Sequence, residues 1–118
     1  MAVPNMSGPF ALTADGVNAA VTQTSPGAYI LGYTGTDNVF YVQRTGRSDT
    51  DLNARLKSPE YIGQYRQFKA TYAADAATAF TMECELWHAY GGSNNPLHPA
   101  RPKGKDWKCP VKSCTSLL

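Results

Sequence analysis

A chain of 118 residues has material for one domain and a single modest core. With 42% apolar and 17% charged residues, its composition favours a globular class over a disordered one. The net charge of +2 permits a nucleic-acid partner but is not the strongly basic footprint that would argue for one.

No apolar run reaches membrane-spanning length, and Met1 to Phe10 lacks the basic start and apolar stretch of a signal peptide. Three cysteines, an odd number, suit reduced thiols. The expectation is a cytoplasmic protein with no membrane partner.

In chain order, Met1 to Pro9 holds two prolines and a glycine and reads as a loose arm. Leu12 to Val21 can form a short helix with Thr13 as N-cap, although Gly16 weakens it. Together these make residues 1–24 an arm and short helix. Ala28-Tyr29-Ile30-Leu31 and Val39-Phe40-Tyr41-Val42 are β-branched and aromatic runs flanking a cluster of turn formers, Gly32 to Asn38. They read as a β-hairpin on which Tyr29 and Tyr41 could face one another. Ser48 to Asp51 supplies helix-starting residues for a short helix carrying Arg55.

Ser58-Pro59-Glu60 opens a further helical turn. Tyr65 to Tyr72 alternates aromatic or small residues with polar ones, as a third strand with one buried face would. Ala73 to Tyr90, rich in alanine and free of Gly and Pro, reads as the main helix and ends at Gly91-Gly92.

At about 100° per residue, Ala76, Ala79, Phe80, Met82, Leu86, Trp87 and Tyr90 fall on one apolar stripe with Glu83 near its centre. Thr81, Glu85 and His88 fall on the opposite, wet face. A carboxylate inside an apolar stripe needs a partner. Either it pairs with Arg55 or another basic residue as a structural ion pair, or it borders a cleft and holds a metal ion.

The order Gly27-Ala28-Tyr29, a turn, Tyr41-Val42, a helix with Arg55, then Glu83-Cys84-Glu85-Leu86-Trp87 and Asn95-Pro96 resembles the GIY-YIG nuclease domain. Gly46 takes the place of the second signature's glycine if Gln43-Arg44-Thr45 is an insertion. The resemblance covers residues 25–96. It implies an α/β fold in which a small, mainly antiparallel three-stranded sheet is flanked by helices.

It also implies a metal-dependent endonuclease that hydrolyses DNA phosphodiester bonds. Tyr29 and Tyr41 would stand beside the attacking water, one of them as general base. Arg55 would hold the phosphate, with Arg47 as the alternative contact. Glu83 would bind Mg²⁺ or Mn²⁺, and Asn95 would orient a phosphate. A homodimer or protein partner could supply the specificity that so small a domain lacks.

Residues 97–118 form a basic, proline-rich and irregular tail. Its His98, Cys109 and Cys114 could ligate zinc, with Cys84 or His88 completing four ligands. The blander alternative is surface thiols on a tail that packs Trp107 against the body. Two other functions compete with the nuclease. One is a catalytically silent GIY-YIG-like module that binds nucleic acid or protein, and the other is a zinc-stabilised interaction domain.

Overall fold

The structure, a computed structural model, describes residues 4–90, 97–111 and 114. The elements run β1 (Ser7–Ala11), α1 (Ala14–Ala20), β2 (Gly27–Thr34), β3 (Phe40–Ser48), α2 (Leu52–Leu56), β4 (Gln67–Tyr72) and α3 (Ala76–Tyr90). The strands form one antiparallel sheet in the order β1-β4-β2-β3. The α/β class is as expected, but the sheet has four strands and not three.

The fourth strand, β1, lies in the segment read as a loose arm. Pro9 and Gly8 argue against a central strand but not against an edge one. The register shift between Ser7 and Phe10 falls on those two residues, and Phe10 then packs against Phe68 with ring centroids 5.5 Å apart.

β2 is central and buried on both faces because its side chains alternate. Tyr29 and Leu31 join Phe68 and Ala70 in a core closed by Val17 of α1, Leu52 and Leu56 of α2, and Tyr61. Ala28 and Ile30 point the other way and pack under α3 against Leu86, with Met82 and Val42 beside them.

The hairpin between β2 and β3 turns later than the sequence suggests. Tyr33 and Thr34 continue the strand, and the reversal falls at Gly35–Asn38. There Asn38 N–H donates to Gly35 O at 3.0 Å, Gly35 N–H donates to Val39 O at 2.8 Å, and Asn38 has φ 67°. Tyr41 consequently faces Tyr33, while Tyr29 faces Gly46. Residues 43–45 are part of β3. The register shift between Leu31 and Gly32 leaves Gln43 alone as the extra residue of a bulge.

Local capping follows the expected chemistry. Thr13 accepts from Gly16 N–H at 2.9 Å to start α1, and Asp51 accepts from Ala54 N–H at 3.2 Å to start α2. Ser48 Oγ takes the N–H of Asp51 at 2.9 Å, so the end of β3 is tied to the start of α2.

α3 begins at Ala76 and not at Ala73, where Asp75 caps it by accepting from Thr78 N–H at 2.8 Å. Its buried residues include Ala79, Phe80, Glu83 and Leu86, so Glu83 does sit within the covered stripe. Tyr90, placed on that stripe, is 46% exposed. His88, placed on the wet face, is instead partly covered by residues of the tail. Residues 97–111 contain no strand or helix. Trp107 packs on Phe80 at 5.7 Å, as a tail folded onto the body would place it. Among the described residues, no helix is long and apolar enough to cross a membrane.

Candidate functional site

A cleft of about 500 Å³ wraps around the edge strand β3. Strand alternation sends Arg44 and Gly46 to the face shared with Tyr29, Arg55 and Tyr61. Arg47 goes to the opposite face, beside Glu83 and the ring of Phe80. The rim is closed by residues 97–100 of the tail.

On the first face, the Tyr29 and Tyr61 hydroxyls stand 2.6 Å apart, and Arg55 Nη2 donates to the Tyr61 oxygen at 3.1 Å. Tyr29 is fully buried. Burial, reinforced by the neighbouring Tyr61 hydroxyl, pushes its phenol well above the usual tyrosine value, and Arg55 does not offset this. Arg55 also meets Glu60 at 3.1 Å, but that pair is exposed on both sides and holds the guanidinium only weakly. The Arg44 guanidinium lies 5.2 Å over the Tyr61 ring, and its buried Nε has no hydrogen-bond partner. A buried donor in that state has capacity for a ligand acceptor.

On the second face, Arg47 is engaged in three directions. Nε meets Asp49 Oδ1 at 2.7 Å, Nη1 meets Glu83 Oε1 at 2.8 Å, and Nη2 donates to the Ala100 carbonyl at 2.7 Å. Its plane lies 5.0 Å over Phe80. Burial pushes the Glu83 carboxyl up from its ordinary value while the Arg47 guanidinium pulls it down, and burial prevails. The ion-pair partner of Glu83 is thus Arg47, not Arg55. Three guanidiniums and two carboxylates line the cleft, which leaves a positive excess suited to an anion.

Of the residues singled out in the sequence, Tyr29, Arg47, Arg55 and Glu83 come together in this cleft. Tyr41 does not. It lies at the far end of the hairpin, 42% exposed, stacked on Tyr33 at 5.4 Å and hydrogen-bonded to Asp37. Asn95 lies outside the described residues. Sequence reasoning missed Arg44, Asp49 and Tyr61. Arg44 was read as part of an insertion, and the only mark on Tyr61 was its place just after the Pro59 turn.

A second grouping lies beside the cleft. One ligand atom from each of His88, His98, Cys109 and Cys114 lies within 4.8 Å of the others, and such a cluster could hold a metal ion. Between the two residues proposed to complete the set, the structure brings in His88. Cys84, on the buried face of α3, hydrogen-bonds with Cys109 but is not one of the four, and burial drives its thiol far up. His98 belongs to both places, since it also lines the cleft.

In comparisons with protein-family models, with curated proteins and with solved structures, nothing matched this chain.

Proposed function

We propose that the chain is a metal-dependent endonuclease that hydrolyses DNA phosphodiester bonds, with a GIY-YIG-like arrangement of residues. One observation carries this reading. Tyr29 from β2, Arg55 from α2 and Glu83 from α3, far apart in sequence, converge with Arg44 on one cleft of positive excess.

Each group then has a role. Arg55 and Arg44 clamp the scissile phosphate, because planar guanidiniums can give paired donors to its oxygens and stabilise the charge that develops on them. Burial disfavours the Tyr29 phenolate, so Tyr29 acts through its hydroxyl as a positioning residue, holding the Tyr61 hydroxyl that accepts from Arg55. Tyr41 has no part in this chemistry. Arg47 is already committed to Glu83, Asp49 and Ala100, which makes it a positioning residue for Glu83 and not a phosphate ligand.

The carboxylates of Glu83 and Asp49 form an oxygen donor set that fits a hard cation. Glu83 has one oxygen on Arg47, and a second carboxylate oxygen would be its ligand, in keeping with the few carboxylates that Mg²⁺ takes. Mg²⁺ or Mn²⁺ held there would supply Lewis-acid charge to the phosphate. DNA is the partner, and a second copy or another protein would supply its specificity.

The Arg47–Glu83 pair also favours a second reading, a silent module of the same shape that binds nucleic acid or protein without cutting, because the pair occupies part of the carboxylate. A zinc-stabilised interaction domain, with the tail as its functional part, would rest on the His/Cys cluster and leave the cleft without a role.

The test is incubation of the protein with supercoiled plasmid and branched oligonucleotides, with Mg²⁺ or with EDTA, beside Glu83→Gln. Nicking should require Mg²⁺ and fall about 100-fold or more in the variant. Retained binding without cleavage of any substrate would select the silent module.

A further inference from the structure

We propose that His88, His98, Cys109 and Cys114 form a tetrahedral structural zinc site that clamps the 97–100 rim onto the cleft. Two imidazoles and two thiolates are the donor types of closed, structural zinc sites, whereas hard cations take oxygen. With Zn–S about 2.3 Å and Zn–N about 2.0 Å, ligand atoms in a tetrahedron stand roughly 3.3–3.8 Å apart. The four atoms here lie within 4.8 Å of one another, and Cys114 Sγ is already 3.3 Å from His98 Nε2. Closing the tetrahedron takes shifts of about 1 Å in side chains that are only partly buried.

The two histidines carry further signs of coordination. His98 Nδ1 sits 2.9 Å from the Pro99 carbonyl. Only a protonated nitrogen can donate there, so the lone pair falls on Nε2, the atom facing Cys114. His88 Nε2 is buried and has no hydrogen-bond partner. A metal bond satisfies such an atom, and the surrounding protein does not.

The zinc would act on the tail. Residues 97–111 have no strand or helix to hold them and are tied to the body through side chains, His98 against Trp87 and His88 and Cys109 against Cys84 of α3. Trp107 rests on Phe80, Arg101 Nη1 donates to Trp107 O at 3.1 Å within the tail, and Ala100 O accepts from Arg47. A segment with so little core of its own needs a staple. The metal would fasten it to α3 through His88. It would also fix His98, and with it the Ala100 carbonyl that holds Arg47, the partner of Glu83. This assignment is independent of whether the cleft cuts DNA, because its readouts are metal content and tail packing.

The experiment uses the full chain, purified without metal-affinity steps, loaded with zinc, dialysed and assayed for bound metal. One zinc per chain is expected. Cys109→Ser should lower retained zinc at least tenfold, as should His88→Ala, which leaves both thiols in place. Cobalt exchanged into the site should give tetrahedral ligand-field bands and thiolate-to-cobalt charge transfer. Trp87 lies 5.2 Å from the His98 ring and Trp107 lies on Phe80, so chelation should shift tryptophan emission to the red while the far-ultraviolet circular dichroism of the body persists.

Zinc that washes out of the unaltered protein, full zinc retention in either variant, or cobalt spectra lacking thiolate charge transfer would each overturn the site. Loss of the whole circular-dichroism signal on chelation would overturn the clamp, since the metal would then support the entire fold.

Discussion

Gly46→Ala puts the smallest side chain at the tightest point of the cleft. A Cβ at Gly46 would overlap Cζ and the hydroxyl oxygen of Tyr29 and stand 2.6 Å from Cε1, where carbon atoms normally keep about 3.5–4.0 Å. The ring must therefore retreat by about 1 Å or more. It has no room to do so, being fully buried, packed edge-on against Tyr61 at 5.6 Å and held by the hydroxyl pair.

Overpacking of this kind costs about 1–3 kcal/mol, and disturbing the Tyr29–Tyr61 bond adds about 1 kcal/mol. A loss of about 3 kcal/mol is expected, equivalent to a fall in Tm of about 10 °C for a chain of this length. Urea denaturation followed by circular dichroism measures it. Tyr29→Phe should not rescue the variant, because Cζ remains in the way. Tyr29→Ala opens a cavity that accepts the new methyl, so the double variant should be less destabilised than the singles predict by about 2 kcal/mol. A Gly46→Ala protein within about 0.5 kcal/mol of the original would refute the close packing of Tyr29 on β3.

Arg55→Lys should leave stability within about 1 kcal/mol, because the Glu60 pair it loses is exposed. Nicking should nevertheless fall about 100-fold, since an ammonium cannot hold the Tyr61 oxygen and orient a phosphate together. An unchanged rate would give the phosphate to Arg44.

The backbone N–H of Thr78, aided by its side chain, holds the Asp75 carboxyl below the ordinary aspartate value of 3.8. A folded value below the unfolded one means stability that is present above pH 3.8 and is lost as pH falls through the lower folded value. In Asp75→Asn, which still caps α3 but does not titrate, the difference in Tm from the original should shrink as pH drops below that point. A difference constant with pH would exclude the cap as a source of acid sensitivity.

Where local pattern decides structure, the sequence was readable. Thr13 and Asp51 announce their helices through side-chain oxygens that reach backbone donors within the same turn. The placing of Glu83 among apolar residues follows from helical periodicity alone. The hairpin shows where local pattern stops. Gly32 looks like the start of a turn, yet Tyr33 and Thr34 carry the strand onward, and moving the turn changes every cross-strand partner. Tyr41 thereby goes to the hairpin tip and Gly46 comes opposite Tyr29.

Pairing across long sequence separations was equally hidden. Nothing near Glu83 distinguishes Arg47 from Arg55 as its partner, because the choice depends on which face of β3 each side chain takes. β1 was masked by its own Pro9, which an edge tolerates. The wheel put His88 in solvent because it could not include a tail that folds back over that flank.

A cleft that wraps a free strand edge borrows its walls from two layers that are packed separately. Tyr29 and Tyr61 belong to the layer under α1 and α2, whereas Glu83 belongs to the one under α3. The central β2 feeds side chains into both layers, and β3, with Gly46 and Arg47 adjacent along it, joins the halves at the cleft itself. A void opened at Val17 or at Leu86 would tilt one wall against the other along the line of that strand. Residues far from the cleft are thus constrained from both sides of the sheet, and neither layer can drift in sequence without the other registering it.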